Sequence, residues 1–333
     1  MERINTDKIT LAHGNGGRLM HEAIKKFRLT FSNRVLKDIS DAAEFSIKGA
    51  RLAFSTDSYV IKPLFFPGGD IGKLAVYGTV NDISMKGAKP LFISVAFIIE
   101  EGLEWSIVEK IVRSIKKAAD ISDVMIATGD MKVVERGAVD KIFINTAGIG
   151  VINHPAVNIS SKAKSGDIII INGAIAEHGM AIFTAREKLN FKSSIKSDCS
   201  NLNFITERCV SKSKNISVMR DLTRGGLAQA MNEIADSSNL GIEISQKDIP
   251  IKPNVKKICD VLGFDPLYIA NEGKFVSFVE KKDADRVKKA MGPGARIIGR
   301  VTAKHKKEVY LTTEIGSSRI LAMLEKDQLP RIC

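Results

Sequence analysis

Residues 55–90 read STDSYVIKPLFFPGGDIGKLAVYGTVNDISMKGAKP. The opening of this stretch completes an apolar strand, RLAFSTDSYV, over Arg51 to Val60. A Pro/Gly loop, KPLFFPGGD, follows. In IGKLAVYGTVNDISMKGA, Leu74, Tyr77 and Val80 stand at helical spacing, which predicts a helix. That helix carries Asp82 among apolar neighbours, and Asp57 lies within or just after the strand. A carboxylate in an apolar segment is costly unless it is paired or ligates a cation.

Outward from this stretch the pattern of elements is α/β. LFISVAFIIE reads as a nearly continuous apolar strand. WSIVEKIVRSIKKAAD is an amphipathic helix with Ile107, Ile111 and Ile115 on one face. VMIATGD reads as a short strand ending on Gly129 and Asp130, and KIFINTAGIGVI as another. Upstream, HGNGG (His13 to Gly17) precedes a predicted helix, RLMHEAIKKF. The polar stretch NHPAVNISSKAKSGD marks the best boundary. Residues 1–152 are expected to form one domain, whose first 40 residues are a Gly-rich N-terminal segment, and residues 153–333 a second. The second opens with the buried strand DIIIINGA and is predicted to be an α/β layer. Its strands are expected at Gly241 to Ser245, Lys274 to Glu280, Arg296 to Ala303 and Glu308 to Thr312. LTRGG reads as a loop entering a helix at about Gly225.

With 333 residues, two domains are natural. Apolar residues are 44%, no stretch is long and apolar enough to span a bilayer, and the N-terminus lacks a signal-peptide h-region, so the cytoplasm is expected. Cys199, Cys209, Cys259 and Cys333 form no CxxC pair and no zinc-spaced cluster, which suits reduced thiols. The net charge of +12 comes from scattered lysines, with only short runs such as Lys304 to Lys307. It reads as a solvated surface, with neither nucleic acid nor membrane as the expected partner.

The common nucleotide signatures fail. PGGDIGKL has Pro67 and Leu74 where a P-loop needs Gly and Ser/Thr. HGNGGRL lacks the last Gly of a dinucleotide turn. What recurs instead is aspartate: Asp41 in SDAA before a strand, Asp57 in STDS, Asp82 in VNDIS, Asp130 in ATGD. Each taken singly reads better as a cap, a turn or a surface ion pair. Together they read as an oxygen cage for Mg²⁺ holding a polyphosphate.

The whole set of motifs resembles one family. HGNGG, the central stretch quoted above, ATGDMKVV, DLTRGGLAQAMNEIA, ANEG and a terminal PRIC occur in order over essentially the whole chain. They are similar to the HypE family of hydrogenase maturation proteins, within the superfamily of aminoimidazole ribonucleotide synthetase and thiamine-monophosphate kinase. The resemblance implies an α/β (α+β) two-domain fold of the aminoimidazole ribonucleotide synthetase type. It implies a homodimer whose N-terminal sheets pair into a shared barrel, with ATP in the cleft between domains. It implies that a carbamoyltransferase, HypF, loads a carbamoyl group on the C-terminal cysteine, and that ATP-dependent dehydration yields a thiocyanate. The cyano group would pass to iron held by a HypC–HypD complex, for a [NiFe]-hydrogenase. By motif position, Asp57, Asp82 and Asp130 would ligate metal, with Asp41 a fourth. Lys132 and Glu272 would be a proton-transfer pair. Gly14, Asn15, Gly16, Gly17, Thr56, Asn81, Asp221 and Arg224 would hold the nucleotide. Cys333 would be the carrier thiol, on a mobile tail running from about residue 318 to the end, because an element with one tether moves most easily. A different ATP-using enzyme of the superfamily, a small-molecule kinase or cyclo-ligase, stays open but has no use for the terminal cysteine. A scaffold or nucleic-acid binder has none for the aspartates.

Overall fold

A computed structural model describes residues 9–14, 17–31, 33, 35, 40–153, 159–187, 195–324 and 328–329. The chain opens with helix α1 (Arg18–Thr30), then the hairpin β1 (Ala43–Ile47) and β2 (Ala50–Tyr59). A two-strand ribbon, β3 (Phe65–Phe66) and β4 (Gly69–Asp70), leads into α2 (Ile71–Ser84). Next come β5 (Lys89–Glu100), α3 (Trp105–Ile121), β6 (Met125–Val134) and β7 (Ile142–Val151). These strands form one sheet in the order β1-β2-β7-β5-β6. All its pairs are antiparallel except β5 with β6, which α3 joins as a crossover.

Helix α2 is capped by Asp70, whose carboxylate accepts from the N–H groups of Gly72 and Lys73 at 2.9 and 3.0 Å. Twelve of its fourteen residues are buried, because the sheet covers one side and α3 and α5 of the next domain the other. Burial of each large side chain such as Leu74 or Ile83 contributes roughly 2 kcal/mol. Gly78 is required where the helix meets the sheet: a Cβ there would lie 2.1 Å from the Tyr59 hydroxyl.

The second half holds β8 (Ile168–Ile171), α4 (Glu177–Arg186), α5 (Asn203–Lys212), β9 (Ile216–Asp221), α6 (Gly226–Ser238) and β10 (Gly241–Ser245). It continues with α7 (Pro253–Leu262), β11 (Phe275–Val279), α8 (Ala284–Met291), β12 (Arg296–Thr302), β13 (Val309–Thr312) and β14 (Ser318–Ile320). The sheet order is β14-β13-β10-β12-β8-β11-β9. Central β8 explains its own sequence: Ile169 and Ile171 enter one core, Ile170 the other. A strand covered on both faces has no polar side, hence the unbroken IIII.

The two halves share one apolar core, which runs from Tyr59 and Val95 to Phe278 and Val309. Asn81 of α2 clamps the seam. Its Nδ2 donates to the carbonyls of Ser200 and Glu272 at 3.0 and 3.3 Å, and its Oδ1 accepts from the Leu202 N–H at 2.7 Å.

Three expectations from the sequence are corrected. β6 does not stop at Asp130 but runs to Val134, because Asp130 pairs with Ala96 in mid-strand. Strands β9 and β14, and the β3–β4 ribbon within the expected Pro/Gly loop, have no counterpart in the sequence reading; each is short or lacks clear alternation. The tail expected from about residue 318 begins as β14, paired to β13, and Leu321 and Leu329 are buried. Cys333 and the rest of PRIC lie outside the described residues.

Candidate active site

Between the two sheets, α1, β2, α2, β9 and α6 line a cleft. Asp57 and Tyr59 of β2 line it, and alternation puts Ser55 on the same strand face, the one that packs against α2. Asp82, in the last turn of α2, comes up beside them. The Ser55 hydroxyl donates to Asp82 Oδ2 at 2.7 Å and sits 3.1 Å from the Asp41 carbonyl, so one side chain ties two acidic positions together. Asp221, at the end of β9, enters from the second domain. Carboxylate oxygens of Asp41, Asp82 and Asp221 all lie within 4.8 Å of one another. Asp57 and Glu272 line the same cleft.

Three carboxylates this close and this buried resist ionisation. Burial raises Asp82 well above the usual range, and the neighbouring Asp221, Asp41 and Asp57 charges add to it. Burial pushes Asp221 up to about 7, with Asp41 the next cause. Asp41 is raised less, because the Arg220 guanidinium opposes its burial. Arg220 pairs with Asp41 and, at 2.6 Å, with Glu233. Burial works against a charge on Glu233, yet Arg220 and His21 hold it down to about 2. His21 of α1 contacts Glu233 at 2.8 Å, which carries the network out to the N-terminal helix.

The arrangement fits a divalent cation. Among the described residues, Asp221 Oδ2 is buried with no hydrogen-bond partner. The donors are all hard oxygens, which suits Mg²⁺ rather than a softer metal. A cation would relieve the repulsion that holds these groups toward their neutral forms.

Sequence-predicted residues divide by place. Asp41, Asp57, Asp82, Asp221, Glu272, Thr56 and Arg224 line the one cleft. Asp221, expected beside the nucleotide, stands in the acidic cluster with Asp41 and Asp82. Asn81 is corrected to a clamp between domains, since its amide is committed to main-chain groups and is 2% exposed. Asp130 and Lys132 lie elsewhere. The row Asp130, Ala96, Asn145 runs along the face of the sheet turned away from α2, and Lys132 pairs with Asp130 at 3.2 Å. Within one chain, Lys132 and Glu272 therefore do not meet. Gly17 caps α1, Gly14 is exposed, and Asn15 and Gly16 lie outside the described residues. Gly225 and Gly226 have φ of +68° and +60°, and a Cβ on Gly226 would sit 2.6 Å from the Ile269 carbonyl. Close packing thus explains that pair without a ligand. Sequence reasoning missed Arg220, Glu233, His21 and Ser55. The available signal was Arg220 next to Asp221 at the end of an apolar strand.

Cys199, Cys209 and Cys259 are buried free thiols. No helix among the described residues is long and apolar enough to cross a membrane.

Comparisons with known proteins agree with this architecture. Residues 39–152 match the family model for the N-terminal domain of AIR synthase related proteins, and residues 164–312 that for the C-terminal domain. The chain is 44% identical to the carbamoyl dehydratase HypE of Rhodobacter capsulatus, over 99% of each chain. A crystal structure of a HypE–HypF complex superposes with a TM-score of 0.86 at 46% identity, covering 92% of this chain and all of that one. A HypE structure in complex with ATP gives 0.82 at 44% identity, covering 98% of this chain and 100% of that one.

Proposed function

We propose, from the premise that this chain belongs to the HypE family of carbamoyl dehydratases, that it converts an S-carbamoyl group on its own Cys333 to a thiocyanate at the expense of ATP. The observation that carries the reading is the cluster of buried Asp221 with half-buried Asp41 and Asp82 at the seam of the two domains. Such a cluster is unstable by itself and is stabilised by a cation bearing a polyphosphate.

The chemistry sets what the residues must do. A carbamoyl oxygen is a poor leaving group until it is phosphorylated. The oxygen attacks the γ-phosphate of ATP, ADP departs, and the C–O bond then breaks as the nitrogen loses two protons. The balance is thiocarbamate plus ATP to thiocyanate, ADP and phosphate. Mg²⁺, when bound, neutralises the phosphates and orients them. Asp41, Asp57, Asp82 and Asp221 would hold it. Arg224 and Thr56 stand at the cleft wall to meet the nucleotide. Glu272, 5% exposed at the seam, would accept a proton from the carbamoyl nitrogen.

Asp130 and Lys132 enter this reading through a second copy of the chain. The sheet face that carries them also exposes Phe54, Phe92 and Ile98. Pairing two such faces in a homodimer would cover that apolar row and bring one copy's Asp130 and Lys132 toward the other's cleft. HypF is the proposed carbamoyl donor, a HypC–HypD complex the acceptor of the cyano group, and the cytoplasm the compartment. The product would supply cyanide ligands to the iron of a [NiFe]-hydrogenase.

The test is the intact mass of the protein carbamoylated by HypF, before and after Mg-ATP. The expected outcome is an adduct on Cys333 that loses the mass of one water only with ATP. A Cys333→Ala variant should fold and bind ATP normally yet carry no adduct. Hydrolysis of ATP with no change at Cys333 would favour a kinase or ligase instead.

A further inference from the structure

Glu272 is aimed by its backbone. The turn Asn271-Glu272-Gly273 lies over the Asp198 carboxylate, whose side chain is 2% exposed. Asp198 Oδ1 accepts from the Glu272 N–H and Oδ2 from the Gly273 N–H, both at 3.2 Å. Lys274 Nζ lies 3.1 Å from the same carboxylate. In return the Glu272 carbonyl accepts from the Ser200 N–H at 3.4 Å and from Asn81 Nδ2 at 3.3 Å. A Cβ on residue 273 would lie 2.1 Å from the Asp198 carbonyl, so the two segments close on each other only because Gly273 has none.

The segment that carries Asp198 is itself fixed to the other domain. The Ser197 N–H donates to the Pro67 carbonyl at 2.8 Å, and Ser197 Oγ is 2.8 Å from Nδ1 of buried His178. A continuous bonded path therefore runs from the loop before α2, through Ser197 and Asp198, to the main chain of Glu272.

We propose that Asp198 is a positioning residue for the dehydration: by bridging the amides of Glu272 and Gly273 it sets the direction in which the Glu272 side chain enters the cleft. The proposal rests on the reading of Glu272 as proton acceptor. A carboxylate is needed for this bridge. Two N–H donors and an ammonium converge on it away from water, and an ionised Asp accepts from all three. An Asn of the same shape offers one accepting oxygen and turns an NH₂ toward a donor.

The experiment uses the full chain, carbamoylated on Cys333, in single turnover with saturating Mg-ATP. Loss of water is followed by mass, and ATP affinity by calorimetry. Asp198→Asn is expected to slow water loss about tenfold while ATP affinity stays within about twofold. In a Glu272→Gln background the same change should add less than about twofold, since both act through one side chain. A purely structural Asp198 would slow both backgrounds alike, and that result overturns the proposal. So does an Asp198→Asn rate within about twofold of the parent. If Glu272→Gln alone reacts at the parent rate, the reading of Glu272 itself fails, and the positioning role with it. Should Asp198→Asn not fold, judged by circular dichroism, Asp198→Glu replaces it. That variant keeps the charge, displaces the bridge by one methylene and carries the same two expectations.

Discussion

Two acidic regions of the first domain are built in opposite ways. Asp82 sits deep in the cleft, pushed toward its neutral form by burial and by Asp221, Asp41 and Asp57. Asp130 stands in the open on β6, where the Lys132 ammonium holds it below the usual carboxylate range. The cleft cluster is complete and strained without help from outside. The β6 pair is exposed and, among the described residues, Asp130 has its ion pair with Lys132 alone. One chain thus gathers one acidic group in a closed cleft and leaves the other on an open sheet face.

The sharpest way to break this contrast is to remove a cleft carboxylate. Asp82→Asn is predicted to weaken Mg-ATP binding by about two orders of magnitude, read by calorimetry. The same variant should melt higher than the parent when no cation is present, because a like-charge contact is gone. Unchanged affinity would mean that the cluster holds no metal. The next test mixes two inactive proteins, Asp82→Asn and Asp130→Ala. If each site takes Asp82 from one chain and Asp130 from another, random reassortment should return roughly a quarter of the parent activity. No recovery would place both residues in one chain's site. Third, Arg220→Met should cost about 2 kcal/mol of stability, since it leaves Asp41 and Glu233 buried without their counter-charge. Added Mg²⁺ should restore more of the melting temperature in this variant than in the parent.

The smallest effect concerns His178, outside both regions. Burial lowers its imidazole from the ordinary 6.5 to about 4. Between these values the unfolded chain binds a proton that the folded chain does not, so stability falls as pH drops below 6.5. A fall of about 1 kcal/mol is expected over the first pH unit. His178→Gln should flatten that limb of the melting curve; an unaltered slope would assign the proton uptake to other groups.

Much of this was legible in the chain. Periodicity located α2 and α3, and the unbroken run in DIIIINGA was read as a buried strand. The order of HGNGG, VND, ATGD, DLTRGG and PRIC pointed to the family. Local signals carried these because α2 and β8 are long, strongly apolar and self-consistent. Asp41, Asp57 and Asp82 could be chosen because acidic residues at such places need a reason. Which of them gather was a different matter. Asp221 joins Asp82 because β9 and α2 come from different domains and meet at the seam that Asn81 clamps. Asp130 leaves the group because a β-strand alternates its faces and β6 runs on past it. Arg220, Glu233 and Asp198 carry no motif, and their importance lies in contacts with residues far away in sequence. Residue type and spacing determined by themselves what chemistry this chain holds. Only the packing of two sheets against each other decided where it is held, because a buried charge is stabilised by neighbours in space and not by neighbours in sequence.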